Sequence, residues 1–328
     1  MQVPLWLHFV NADPVGEEIV VIYKCGDDLR QDQLTLQILR VMERRWERAG
    51  LDLKLSPYLC VATGDEIGFI EVVLESNTTA NITKQYSRGA SGAFAKEPMD
   101  MYLQEHNRDR ASYRAAVETF LHSLAGYCVA TYVMGIGDRH NDNVMLAKSG
   151  RLFHIDFGHF LGNFKSKFGI KRERAPFVFT PDFAYVLGDK GSDDFNQFVH
   201  VCGHAYNVIR ASGHEFINLF QVTPPTTIPD PTPSAPAPPP RLRTAPRHLS
   251  HHLHRISPAI PSRPPSQLML STGIPELQTA DDINWLRECM LIGADETYAT
   301  KHFAQKINAA LECRTTQLNN AVHILAHS

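Results

Sequence analysis

The stretch GIGDRHNDNVMLAKSGRLFHIDFGHF, residues 135–160, constrains the fold of this chain more than any other. Two polar phrases, DRHNDN and IDFGH, lie close together and are flanked by the short apolar strands VML and LFHI. Asp138 and Asn143 are separated by four residues, and Asp156 follows with Phe157 and Gly158. Either phrase alone is a weak signal, since Asp138 could cap a helix and DFG could mark a turn. Together, at this spacing, they ask for a fold in which Asp138, Asn143 and Asp156 meet around one metal ion.

The residue types fit phosphoryl transfer. A phosphoryl group in flight spreads negative charge over several oxygens, and magnesium, which prefers hard oxygen ligands, offsets it. Asn143 offers a neutral carbonyl and Asp156 a carboxylate, a pair that can hold the cation without over-neutralising it. Asp138, or His140 beside it, can orient or deprotonate an attacking hydroxyl. Protein kinases order an Asp, four residues, an Asn and a later D-F-G in the same way. Lys24 ends the strand EIVVIYK, where a kinase lysine meets the ATP phosphates as a point charge. Asp32, in the first turns of the next helix, is a polar partner for that pocket. Directly after DFGH, Lys165, Lys167, Lys171, Arg172 and Arg174 set five positive charges against Glu173. Such a run is commonly a solvated face. Its position here fits an anionic acceptor, such as a phosphorylated headgroup on an acidic membrane.

The chain's 328 residues suffice for one bilobed enzyme core. Two strands are expected within residues 5–24, a helix from about 27 to 49 stopped by Gly50, and two strands in YLCVATG and IGFIEVV. From about residue 76 the pattern is mostly helical. The expected class is therefore α+β, with a small β-rich N-lobe over residues 1–75 and a larger, mainly helical C-lobe over residues 76–328. The proline-dense residues 222–267 interrupt the C-lobe as a disordered insert. A net charge of −3 argues against a nucleic-acid partner. Six scattered cysteines and the absence of a leader-like start argue for a cytoplasmic protein.

The phrases YKCGDDLRQDQLTLQILRVM, GLDLKLSPYLC, GFIEVV, SLAGYCVATYVMGIGDRHNDNVM and LFHIDFGHFLGNFKSKFGIKRERAPFVFT closely resemble the catalytic domain of class I phosphoinositide 3-kinases. The resemblance covers nearly the whole chain outside the insert. It implies transfer of the ATP γ-phosphate to the 3-hydroxyl of inositol lipids, chiefly phosphatidylinositol 4,5-bisphosphate. It implies Lys24 on phosphate, Asn143 and Asp156 on Mg2+, and Asp138, Arg139 and His140 as the catalytic loop. His140 and His159 become candidates for hydroxyl activation and γ-phosphate stabilisation. Glu71 and Val73 would offer backbone hydrogen bonds to adenine, with Trp6, Ile22, Tyr58, Met145 and Ile155 lining the pocket. The basic run would admit the headgroup. A regulatory subunit, Ras and the inner face of the plasma membrane are implied for the full-length family member.

Three departures qualify that expectation. The strand and most of the phosphate loop that precede Pro4 in the family are expected to be missing, and the tail ends early. The insert falls where the family runs on, because removing residues 222–267 joins FINLFQ to LMLSTGIPEL. Its first valine and last glutamine can encode the ends of an intron, so it is read as retained intron sequence. Besides a lipid kinase, the residues admit an atypical protein kinase or an inactive fragment that binds nucleotide or a partner.

Overall fold

Short runs rich in β-branched and aromatic residues, such as LWLHF and IVVIYKC, favour strands at the start of the chain. The computed structural model describes residues 3–16, 18–87, 95–162, 166–167, 170–171, 175–220 and 284–313. Strands β1 (Leu5–Phe9), β2 (Ile19–Cys25), β3 (Cys60–Gly64) and β4 (Ile67–Glu71) form an antiparallel sheet in the order β1-β2-β4-β3. Trp6 stands opposite Ile22, Ile22 opposite Ile70, and Lys24 opposite Gly68. Directly opposed residues share a face, so Trp6, Ile22, Lys24 and Ile70 lie on one side of the sheet.

Helix α1 (Arg30–Arg48) starts later than the periodicity suggests. The Asp28 side chain accepts the Arg30 N–H at 3.1 Å and also pairs with its guanidinium, which holds the preceding residues in a turn. Leu34, Ile38 and Met42 are buried on one face, as their spacing predicts. Trp46 is fully buried and donates its indole N–H to the Ala205 carbonyl at 2.9 Å. That bond ties the N-terminal part of the chain to the helical part.

Helices α2 (Thr79–Tyr86), α3 (Pro98–His106), α4 (Arg110–Met134), α5 (Pro181–Val186), α6 (Asp193–Ala211), α7 (Gly213–Phe220), α8 (Asn284–Cys289) and α9 (Glu296–Leu311) make up most of the remainder. Asp109 caps α4 by accepting the Ala111 and Ser112 N–H groups, both at 3.0 Å, a typical N-cap arrangement. The second half of α4 is buried on all sides, which accounts for its nearly continuous apolar sequence. Among the described residues no helix is long and apolar enough to cross a membrane.

One element went unforeseen. Ser76–Thr78 forms strand β5, which pairs with β6 (Val144–Ala147), and β6 pairs with β7 (Leu152–His154). The tripeptide SNT has no apolar alternation of its own; its strand geometry comes from the partner. Further on, Ser166–Lys167 and Ile170–Lys171 pair as β8 and β9. The expected insert over residues 222–267, the helix resuming at 268 and the tail from 314 lie outside the described residues, as do Lys165, Arg172 and Arg174.

Candidate active site

The β6–β7 hairpin decides the geometry. Val144 stands opposite His154, and the Ile155 N–H donates to the Asn143 carbonyl at 3.1 Å. Asn143 and Asp156 therefore emerge at the same end of the hairpin. Asp138 reaches that end from α4, through a loop whose Gly137 N–H donates to the His159 carbonyl at 2.9 Å.

Asp138 and Asp156 both adopt left-handed backbone, with φ of 56° and 59°. Such conformations cost a non-glycine residue about 1 kcal/mol or more and persist where the surroundings over-determine them. Arg139 is the restraint. It is buried, and its Nε donates to the Gly137 carbonyl at 2.8 Å and its Nη1 to the Ile155 carbonyl at 2.7 Å. Its Nη2 donates to the Asp156 carbonyl, and its guanidinium lies 5.5 Å from the Phe157 ring centroid. Burial pulls its pKa down, while the charges of Asp156 and Asp138 oppose that shift. The sequence reading placed Arg139 in the catalytic loop; within that loop it acts as a tie between the DRH and DFG phrases.

Asn143 is buried and donates Nδ2 to the Asp138 carbonyl at 3.0 Å, so Oδ1 is the atom it could offer to a cation. Asp156 is exposed. Among the described residues no cluster of three or more His, Cys, Asp or Glu could hold a metal. Magnesium is bound by few protein oxygens, with water and phosphate supplying the rest, so one amide carbonyl and one carboxylate fit it. His140 Nδ1 accepts the Asp142 N–H at 3.3 Å, which puts a neutral ring's proton on Nε2. His159 is half-buried, with its carbonyl held by Gly137.

On β2, Lys24 forms an ion pair with Asp27, a residue the sequence reading passed over. Burial alone would lower the Lys24 pKa, yet Asp27, Asp156 and Asp32 outweigh it and hold the value above normal. Asp32 is buried and accepts the Phe157 N–H at 3.0 Å, so α1 grips the backbone of DFG. Tyr58 is buried beside Asp32 and Arg139, and burial pushes its phenol well up.

Burial pushes the Asp32 carboxyl up to about 6; the Phe157 N–H and Lys24 oppose this, and Asp156 and Asp27 add to it. A raised carboxyl stabilises the fold in its protonated form. That contribution is full below the ordinary value of 3.8 and is lost as pH rises through about 6. Asp32→Asn keeps an acceptor for Phe157 but cannot ionise. In metal-free protein it is expected to gain about 3 kcal/mol on wild type between pH 4 and 7. Urea unfolding across that range reads the difference, and parallel curves would refute it.

The residues expected at adenine are only partly gathered. Met145 and Ile155 pack partly buried against the core, while Trp6, on edge strand β1, is 59% exposed. Glu71 directs its carboxylate to the Leu59 N–H at 2.6 Å, so only its backbone suits a base. The Val73 carbonyl accepts the Ser76 hydroxyl at 2.7 Å, so a bond from Val73 to a base would come from its N–H. Tyr58, Glu71 and Val73 line a groove of about 730 Å³ whose wall also includes Arg151. Lys24, Asn143 and Asp156 are not in that lining. For Lys167 and Lys171 the structure describes the backbone alone, in the β8–β9 pair.

A four-stranded sheet over a helical body, with DRH and DFG tied at the end of a hairpin, defines an α+β kinase-like fold. A family model described as "Phosphatidylinositol 3- and 4-kinase" matches residues 18–232, and the chain belongs to that family of lipid kinases. It is 49% identical over 327 residues to "Phosphatidylinositol 3-kinase 1" of Dictyostelium discoideum, with 100% of this chain and 18% of the relative covered. It is 47% identical to "Phosphatidylinositol 3-kinase 2" of the same organism, covering 99% of this chain and 15% of the relative. Against "Phosphatidylinositol 4-phosphate 3-kinase C2 domain-containing subunit beta" of Homo sapiens it is 41% identical, covering 99% and 17%. The chain thus spans less than a fifth of the length of these relatives.

Proposed function

We propose that this chain transfers the ATP γ-phosphate to the 3-hydroxyl of a phosphoinositide, with phosphatidylinositol 4,5-bisphosphate as the preferred acceptor. The carrying observation is the convergence of Asp138, Asn143 and Asp156, tied through Arg139 and faced by Lys24. Asn143 Oδ1 and the Asp156 carboxylate would hold Mg2+, which when bound would offset charge on the phosphate oxygens. Lys24 supplies a point charge for those phosphates once Asp27 releases it. Asp138 is the acceptor for the hydroxyl proton, because the His140 ring, with its proton on Nε2, is placed to donate. His159 is a second donor toward the γ-phosphate.

The bisphosphate preference rests on the basic run Lys165, Lys167, Lys171, Arg172 and Arg174, which directly follows the DFG phrase. Near an acidic membrane each such charge contributes about 1 kcal/mol. The 4-phosphate in the human relative's name supports a second reading, with the 4-phosphate as acceptor. In either case the site of action is the inner face of the plasma membrane, and a regulatory subunit and Ras are partners of the longer protein.

The test is labelled-ATP transfer to vesicles carrying phosphatidylinositol, its 4-phosphate or its 4,5-bisphosphate. Product phosphorylated at the 3-position and greatest with the bisphosphate is the expected result. A maximum with the 4-phosphate selects the second reading, and no product from any lipid overturns both.

A further inference from the structure

We propose that Trp285, on a helix outside the residues matched by the family model, is a positioning residue for both the catalytic loop and the segment after Asp156. The inference rests on the phosphotransfer reading of those two segments.

They run side by side. The Leu161 N–H donates to the Met134 carbonyl at 2.7 Å, Gly162 to Gly135 at 3.1 Å, and Gly137 to His159 at 2.9 Å. Asp138 begins where this seam ends, and His159 lies within it. A slip along the seam would move Asp138 relative to Asp156.

The Trp285 indole closes the outer end of the seam. Its N–H donates to the Tyr132 carbonyl, in the last turn of α4, at 3.1 Å. Gly135 and Gly162 both have positive φ, 57° and 77°. A Cβ on Gly135 would lie 2.6 Å from the indole nitrogen, and one on Gly162 would lie 2.6 Å from indole Cε3. One ring therefore rests on both strands of the seam, at two positions where a side chain would push it away.

The ring is itself anchored. Leu286, Cys289 and Met290 are buried. Arg210 of α6 donates its Nε to the Met290 carbonyl and its Nη2 to those of Leu291 and Ala294, each at 2.8 Å. Tyr206 donates to the Cys289 carbonyl. A rigid path thus runs from α6 through α8 to the seam. Trp285 touches no substrate-facing atom; it sets where such atoms stand.

Trp285→Ala and Trp285→Phe, compared with wild type, separate this role from general support. Trp285→Ala is expected to lower kcat about tenfold or more while KM for ATP stays within about twofold, because Glu71, Val73 and Lys24 are untouched. Trp285→Phe retains a ring over both glycines and should recover kcat to within about threefold of wild type. Amide hydrogen exchange supplies a readout independent of activity. In Trp285→Ala, exchange should rise in residues 134–143 and 156–162 and stay unchanged in β2 and β4. Unchanged exchange at the seam, or a rise spread evenly over residues 98–220, overturns the proposal. Wild type without activity would overturn the phosphotransfer reading instead, and the exchange result would still decide whether the tether exists.

Discussion

Asp156→Asn is expected to lower kcat about 10³-fold, to the background of a labelled-ATP assay, while the fold stays intact. The size follows from the loss of the carboxylate proposed to hold Mg2+, the cation that would offset the developing phosphate charge, an effect of about 4 kcal/mol. The fold is spared for two reasons. The Asp156 side chain is exposed, and Asn is among the few residues that tolerate the φ of 59° found there. Alanine would add backbone strain and confuse the result. Removing this charge also relieves Asp32, whose carboxyl it helps to raise. The urea midpoint should therefore stay the same or rise slightly. Retained transfer at a tenth of wild type or better would mean that Asp156 does not hold the metal.

Arg139→Ala is expected to damage both stability and activity. Three backbone carbonyls, those of Gly137, Ile155 and Asp156, would lose their donor. Buried acceptors left without a partner cost about 1–3 kcal/mol each, so a total of roughly 3–5 kcal/mol is expected once partial rehydration is allowed for. Activity should fall at least about 10²-fold, because Asp138 and Asp156 are then free to leave the left-handed region. Arg139→Lys keeps the charge but lacks the planar fork that reaches three acceptors, and it should recover little of either loss. Urea unfolding beside kcat makes the distinction. Full stability with lost activity would assign Arg139 to direct phosphate contact rather than to tying the loops together.

The split between those two predictions shows how far local sequence reaches. The convergence of Asp138, Asn143 and Asp156 was legible because all three sit within one loop and one short hairpin. Lys24 was legible near the end of an apolar, β-branched run, although β2 extends one residue further to Cys25, and the face of α1 from its spacing of apolar residues. Arg139 was found but its task was not, since nothing in DRH says where five donors will point. Asp27 was missed because a carboxylate after a turn reads as a solvated residue until Lys24 is seen beside it. Strand β5 was missed because its partner lies well along the chain.

The sequence by itself therefore determined the class of fold and the family, and it brought forward the residues proposed for phosphoryl transfer. These follow from short-range spacing and periodicity, which survive without knowledge of long-range contacts. The tertiary structure alone decided how those residues are held. The left-handed φ of Asp138 and Asp156, the grip of Asp32 on Phe157 and the seat of Trp285 on two glycines each join distant parts of the chain or depend on such joints. No periodicity reports such contacts, because packing selects them only when the whole core closes.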